Sequence, residues 1–141
     1  MTLIFDIGKT NKKALVFDED YQVIEETQTA FDEIGDVDGE PTDDVAKIEN
    51  WMLEILRGYQ KLNLSRINFA TYGATLAHLD KNGRLLNVPF NYLKKIDPAL
   101  KQQFLTENDT PSVFCTKTAS PDLEVLLNSG FQLYWLKKNT T

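Results

Sequence analysis

The chain has 141 residues, enough for a hydrophobic core, and 42% of them are hydrophobic, which is ordinary for a globular domain. Its formal net charge of -6 argues against nucleic acid as a partner, because phosphate backbones are bound by basic surfaces. The same charge disfavours an anionic membrane surface, and no apolar run is long enough for a transmembrane helix. A single cysteine, Cys115, excludes an internal disulfide and predicts a reducing, cytoplasmic compartment.

The periodicity of apolar residues predicts a strand-rich first half and a helical end. The apolar spacing becomes helical after residue 43, where Thr42 or Asp43 can serve as the N-cap. Asp-Pro at 97–98 and Ser-Pro at 120–121 are typical helix starts. The predicted elements in chain order are strands at Thr2–Ile7, Lys13–Phe17 and Gln22–Phe31, a helix over 43–60, strands at Ser65–Thr71 and Thr75–Leu79, a helix over 97–105, and a helix over 120–127 that continues after a break through Lys138.

This order of elements predicts an α/β fold with a mixed β-sheet and helices on its faces. The acidic stretch Asp32–Asp44 contains two glycines and a proline, and we interpret it as a solvated loop. It lacks the spacing of an EF-hand calcium loop. Asp80–Gly83 predicts a tight turn, and Leu85–Tyr92 is expected to be extended or irregular around its proline.

The turn between the first two strands carries the most informative motif. Gly8-Lys9-Thr10 invites a P-loop interpretation, but that motif needs a glycine where this chain has Leu3. A P-loop also opens a helix, whereas the residues that follow Lys12 are strand-like. The lysine and threonine are therefore predicted to lie on a hairpin turn.

A hairpin turn can still bind phosphate, because successive backbone N–H groups converge on an anion. Gly8 allows close backbone approach, Lys9 adds a positive charge, and Thr10 and Asn11 add side-chain donors. Asp6 could hold Mg²⁺ through water, since hard cations prefer carboxylate oxygen. From these residues alone, an ordinary polar hairpin with a helpful glycine remains the alternative.

The segment Asp6–Lys13 resembles the first phosphate motif of the actin/hexokinase/Hsp70 superfold, and more closely that of the FGGY carbohydrate kinases. Asp6, Gly8, Thr10 and Lys13 match this motif, while Lys9 replaces its usual first threonine, as in rhamnulokinase-like or fuculokinase-like members. The resemblance implies that ATP and Mg²⁺ are the cofactors. The residues implied to bind them are Asp6, Gly8, Lys9, Thr10, Asn11 and Lys13, with Asp6 as the metal residue.

A second segment, Thr71–Asp80, resembles the rhamnulokinase stretch that lies near the sugar. The resemblance implies that Gly73 faces the sugar, with Thr71, Tyr72 and Thr75 beside it. An aromatic ring with a hydroxyl suits both the C–H face and the polar edge of a sugar. A strand interrupted by a glycine kink is the alternative explanation for the same residues.

Two further segments extend the resemblance over nearly the whole chain. Pro89 and Tyr92 fit a third family motif, but Lys94 and Ile96 replace its aspartate and arginine, so the ordinary sugar contacts are in doubt. Leu127–Leu136 is similar to the family's Leu-Asn-x-Gly-x-Gln-Leu-x-Trp-Leu segment.

The resemblance implies a ribonuclease H-like, actin-like fold and an incomplete N-terminal kinase domain over residues 1–141. Within it, 1–31 would form the phosphate-binding hairpin and third strand, 43–60 a helix, 66–92 the sugar-side strands and 97–138 a helical segment. The implied partners are a sugar, ATP and the rest of the kinase chain, and a homodimer is left open. The catalytic aspartate would lie later, so we expect no catalytic residue here and no activity from this chain alone.

Two other hypotheses remain open: a non-catalytic ligand-binding or interaction module that kept the actin-like fold, and an unrelated small α/β domain with a fortuitous turn. His78, in an apolar context, is interpreted as a packed or surface histidine. Cys115 is interpreted as an inert thiol, because no basic residue lies next to it in the sequence.

Overall fold

The computed structural model describes residues 1–108 and 110–139, and the chain divides into two compact units. The first unit comprises Met1–Ile34 and Asp43–Gly73, and the second comprises Gly35–Thr42 and Ala74–Thr141. The elements in chain order are β1 (Thr2–Ile7), β2 (Lys12–Phe17), β3 (Val23–Thr29), β4 (Ile34–Gly35), β5 (Pro41–Thr42), α1 (Val45–Gly58), β6 (Arg66–Thr71), α2 (Pro98–Asn108), α3 (Pro111–Thr118) and α4 (Ser129–Asn139).

The first unit is built on a four-stranded mixed sheet with the strand order β3-β2-β1-β6. β1 pairs antiparallel with β2, which pairs antiparallel with β3, as the hairpin pattern predicts. β6 returns parallel to β1, with Ile7 opposite Thr71. The carboxyl ends of β1 and β6 therefore meet at one edge of the sheet, and the turn after β1 lies at that edge.

Helix α1 covers one face of this sheet. Leu3 and Phe5 of β1 and Ala14 and Val16 of β2 are fully buried on that face. The apolar stripe of α1 packs on them and includes Trp51, Met52, Ile55 and Leu56. Asp44 caps the helix by accepting a hydrogen bond from the Lys47 amide at 3.1 Å, so the predicted caps Thr42 and Asp43 are wrong by one or two residues.

The second unit holds a separate aromatic-rich core to which all the later helices contribute. Helix α2 begins as its Asp-Pro signal predicts, because the Asp97 carboxylate accepts from the amides of Ala99 and Leu100 at 2.7 and 3.1 Å. The core residues are Phe90, Ile96, Phe104, Leu105, Leu126, Phe131, Tyr134 and Trp135.

Two predicted elements in the second unit are wrong. Thr75–Leu79 is not a strand, because Ala74 has a left-handed backbone (φ +67°) and only Leu79 makes an isolated bridge, to Leu85. The helix predicted over 120–127 is absent. Ile96 donates to the Glu124 carbonyl and Leu126 to that of Lys94, so this segment pairs as extended chain with residues 94–96.

The acidic stretch is more ordered than a solvated loop. β4 and β5 form a short hairpin, in which the Asp36 amide bonds the Glu40 carbonyl at 2.8 Å. Helix α3 lies within the segment 97–138 that the resemblance implies to be helical, although no separate helix was predicted there. Across residues 1–108 and 110–139, no helix has the length and apolar character needed to cross a membrane.

Candidate phosphate and sugar site

The phosphate-binding candidate is the turn Gly8–Asn11, where β1 ends and β2 begins. Ile7 pairs with Lys12, so the chain must reverse direction within this segment. A Cβ placed on Gly8 would lie 2.7 Å from the Asn11 carbonyl oxygen, a distance that no side chain tolerates. The Tyr72 amide donates to the Ile7 carbonyl at 3.2 Å and ties the end of β6 to the start of the turn.

Asp43 is the electrostatic centre of this region, although the sequence predicted it only as a helix cap or loop residue. Its carboxylate oxygens accept from Lys9 Nζ at 2.9 Å and from Lys12 Nζ at 3.0 Å. The Tyr72 hydroxyl also donates to it in a short hydrogen bond. With 12% of its side chain exposed, Asp43 joins the turn to the end of β6.

Lys9 is held by carboxylates in this structure. Its ammonium lies 2.5 Å from Glu33 and 2.9 Å from Asp43. Burial on its own would lower the pKa of Lys9, but the hydrogen bonds and charges of Glu33 and Asp43 outweigh it and raise that pKa. Lys9 is therefore charged at neutral pH, and an incoming phosphate has to compete with Glu33 for it.

Burial on its own would raise the pKa of Asp43, because Asp43 is an acid. The hydrogen bonds that it accepts from Tyr72, Lys9 and Lys12 outweigh burial and lower that pKa. Asp43 therefore stays ionised at neutral pH. Two lysines and a tyrosine are held around one negative charge next to the turn.

Lys12, which the sequence analysis did not single out, belongs to the cluster around Asp43. The Lys12 side chain is 1% exposed, and its ammonium also bonds the Lys9 carbonyl at 3.0 Å. The strand alternation could have revealed it, because Lys12 shares a face with the buried Ala14 and Val16.

Lys13 lies on the opposite face of the sheet, where it is the cross-strand neighbour of Asp6. Its ammonium bonds Glu26 at 2.7 Å. The predicted cofactor residues therefore divide: Lys9 lies with Asp43, whereas Asp6 and Lys13 share the other face.

Asp6 is exposed, and no salt bridge to it is found in the described part of the chain. Thr10 and Asn11 are exposed as well. Residues 1–108 and 110–139 contain no group of three or more His, Cys, Asp or Glu side chains arranged to hold a metal ion. A Mg²⁺ ion at Asp6 would thus need water and nucleotide phosphates as its other ligands.

The predicted sugar-side residues lie at the end of β6 and in the chain that follows it. The Thr71 hydroxyl donates to the Tyr72 carbonyl at 3.1 Å, and a Cβ added to Gly73 would meet nothing within 4 Å. In the second unit, the Thr75 hydroxyl oxygen is buried and has no hydrogen-bond partner among the described residues. The sugar contacts of these residues stay a prediction.

Lys94, which replaces the aspartate of the third family motif, is buried within the second unit. Its ammonium lies 2.6 Å from Asp36 and 2.5 Å from Asp38. It also lies 5.0 Å from the ring centre of Phe90 and 4.9 Å from that of Trp135, within cation–π range. Asp36 has only 1% of its side chain exposed, so a solvated loop was the wrong prediction for this residue.

Comparison with known proteins identifies the class of this fold. No protein-family model matches the chain, and no curated protein sequence matches it. Among solved structures, a carbohydrate kinase from Novosphingobium aromaticivorans matches with a TM-score of 0.84 and 28% identity over 98% of this chain. A ligand-bound xylulose kinase from Lactobacillus acidophilus (TM-score 0.72, 19% identity, 99% of this chain) and a glycerol kinase from Plasmodium falciparum with ADP (0.69, 18%, 99%) match as well.

These matches confirm the α/β, actin-like fold of the sugar kinases. The resemblance to carbohydrate kinases is confirmed with it by the match of 28% identity. The chain spans about 29% of the length of each of the three kinases described above.

Proposed function

We propose that this chain is the part of an ATP-dependent sugar kinase that binds the nucleotide phosphates at Gly8–Asn11 and contributes Thr71–Thr75 to the sugar site. The observation that carries the proposal is the cluster at the shared end of β1 and β6. There the Asp43 carboxylate accepts hydrogen bonds from Lys9, Lys12 and Tyr72. The adjacent turn requires glycine at position 8, because a Cβ there would lie 2.7 Å from the Asn11 carbonyl oxygen.

The residues of the turn fit a nucleotide phosphate. Backbone amides of a tight turn favour an anion, and Lys9 supplies a positive charge on the rim of the turn. Asp6, exposed on the other face of β1, would hold hydrated Mg²⁺. When bound, the metal would neutralise charge on the phosphates, and positioning with charge neutralisation is most of what phosphoryl transfer requires.

The proposed reaction transfers the γ-phosphate of ATP to a hydroxyl of a ketose or related sugar. Tyr72 would present its ring to the sugar, with its hydroxyl oriented by Asp43. We assign no proton acceptor to this chain; the catalytic aspartate would come from the rest of the kinase. A cytoplasmic location and a sugar, ATP and the remaining kinase chain as partners belong to the same proposal.

One observation favours a second candidate, a non-catalytic module that kept the fold. Lys9 is already neutralised by Glu33 and Asp43, which weakens its attraction for phosphate. The two candidates differ in what the native gene encodes. A continuation with a later catalytic aspartate and a second phosphate motif supports the kinase, whereas a natural stop after residue 141 supports the module.

The direct test uses the protein encoded by the native gene, purified and supplied with ATP, Mg²⁺ and a panel of ketoses and polyols. Phosphorylation of at least one sugar, measured by coupled ADP release, is expected. Titration calorimetry with ADP on residues 1–141 tests the turn itself. A gene product that phosphorylates no ketose or polyol would contradict the kinase proposal, and ADP binding without phosphorylation would favour the module.

A further inference from the structure

We infer that Gln132 is a positioning residue that fixes the backbone from Ala74 to Leu76, the segment around the proposed sugar residue Thr75. Its side chain is buried, with the residue 1% exposed. The inference rests on the proposed function only for its effect on sugar binding, since the contacts that carry it lie wholly within the second unit.

Among the described residues, the Gln132 side chain forms hydrogen bonds with backbone groups only. Its Nε2 donates to the carbonyls of Ala74, in a short bond, and of Leu126, at 2.6 Å. Its Oε1 accepts from the Leu76 amide at 3.3 Å. One amide side chain thus fastens two points of the 74–76 segment to the start of α4 and to the extended chain before it.

Only a primary amide can make this set of bonds. Two donors and one acceptor are needed on one planar group, and glutamate or methionine cannot provide both. The anchor is itself well held, because the Asn128 side chain accepts from the Gly130 amide at 2.9 Å where α4 begins. The Gln132 side chain is buried, and its three hydrogen bonds fix the orientation of its amide group.

The segment that Gln132 fastens needs such support. Ala74 has φ +67°, in the left-handed region that residues with a Cβ adopt at a cost. Strained backbone persists where its surroundings determine it, and the two bonds from Gln132 flank Thr75 on both sides. Gln132 therefore holds the backbone on both sides of Thr75 in one position.

The test compares Gln132→Met, which keeps the volume but removes the hydrogen bonds, with Gln102→Met on the exposed surface of α2 as the control. Hydrogen–deuterium exchange at the Leu76 amide should be about tenfold faster in Gln132→Met, the effect of losing roughly one buried hydrogen bond. When Gln132→Met is made in the native gene product, the KM for the sugar substrate should rise by about tenfold over the wild-type value. The KM for ATP should stay within about twofold.

A second variant, Gln132→Glu, keeps the test decisive if the methionine variant does not fold. A carboxylate repels the two carbonyls, whereas its protonated form regains one donor, so the sugar KM of this variant should fall toward the wild-type value as the pH is lowered. A merely structural role would not produce this pH dependence.

The outcomes separate the two proposals. If the native gene product phosphorylates no sugar, the proposed function fails. The positioning role of Gln132 is then tested only by hydrogen–deuterium exchange at the Leu76 amide. Unchanged exchange at Leu76 in Gln132→Met, or wild-type sugar KM values in an active Gln132→Met enzyme, would overturn the positioning role.

Discussion

The hydroxyl of Tyr72 donates a hydrogen bond to Asp43, across 29 residues of sequence. Tyr72, a candidate sugar residue, directly follows β6, and Asp43 binds Lys9 of the candidate phosphate turn. One carboxylate thus joins the two halves of the proposed site within the first unit. A change in the charge around Asp43 should therefore alter the binding of both the nucleotide and the sugar. The positions around Asp43 are the most informative to mutate.

Glu33→Gln should tighten nucleotide binding by up to about fivefold. The substitution removes one of the two carboxylates that hold Lys9, and an exposed ion pair of this kind is worth about 0.2–1 kcal/mol. Titration calorimetry with ADP on the variant and on Glu19→Gln, an exposed control in the β2–β3 turn, measures the effect. Equal affinities in all three proteins would mean that Lys9 does not reach the phosphates.

Gly8→Ala should weaken nucleotide binding by more than about tenfold and destabilise the hairpin by about 1–3 kcal/mol. The added methyl would lie 2.7 Å from the Asn11 carbonyl, so the turn has to open. Gly8→Val should have a larger effect for the same reason. The control is Gly58→Ala, where a Cβ meets nothing within 4 Å and a small stabilisation is expected. Undiminished ADP binding by Gly8→Ala would refute the assignment of this turn to phosphate.

Lys94→Met should destabilise the second unit by about 3 kcal/mol, because the buried Asp36 carboxylate loses its partner. Asp36→Asn added to this variant should recover part of the loss. Lys95→Met, at an exposed position, is the matched control. Urea unfolding in a Trp51→Phe background lets Trp135 report on this unit alone. A loss no larger than that of the control would show that the ion pairs contribute nothing to stability.

The β1–β2 hairpin was predictable, because apolar alternation along a strand is local information, and the order of the elements predicted a mixed sheet. The prediction of a helix over 120–127 was wrong. It depended on a local Ser-Pro signal, whereas Glu124 and Leu126 form backbone hydrogen bonds with residues 94–96. Leu126 is fully buried in that extended conformation, which a surface helix cap cannot outweigh.

The candidate site was predictable only where one short segment carries it. The need for glycine at position 8 follows from the tight turn, and the sequence was sufficient to predict it. Asp43 was missed because its donors Lys9, Lys12 and Tyr72 lie 34, 31 and 29 residues away, a distance that no local pattern spans. Lys94 and Asp36, 58 residues apart, illustrate the same limit: Asp36 was predicted to lie in a solvated loop, and folding buries it together with Lys94.

Acid should destabilise the first unit in a window set by Asp43. The folded-state pKa of Asp43 is lowered from its ordinary value of 3.8, so its ionised form contributes stability above that pH. This contribution is lost as the pH falls from about 4 through the lowered folded-state pKa, because protonation of Asp43 then accompanies unfolding. Unfolding free energies followed by Trp51 fluorescence in a Trp135→Phe background should therefore be nearly constant between about pH 7 and 5 and decline below about pH 4.

The variant Asp43→Asn isolates this effect. It should be less stable than the wild type at neutral pH by about 3 kcal/mol, because Lys12 is left buried without a carboxylate partner. The difference should narrow as the wild type loses its Asp43 charge in acid, whereas Asp32→Asn, an exposed control, should follow the wild-type curve throughout. A constant difference between Asp43→Asn and the wild type down to about pH 3 would contradict a lowered pKa at Asp43, and with it the claim that three donors converge on this one carboxylate.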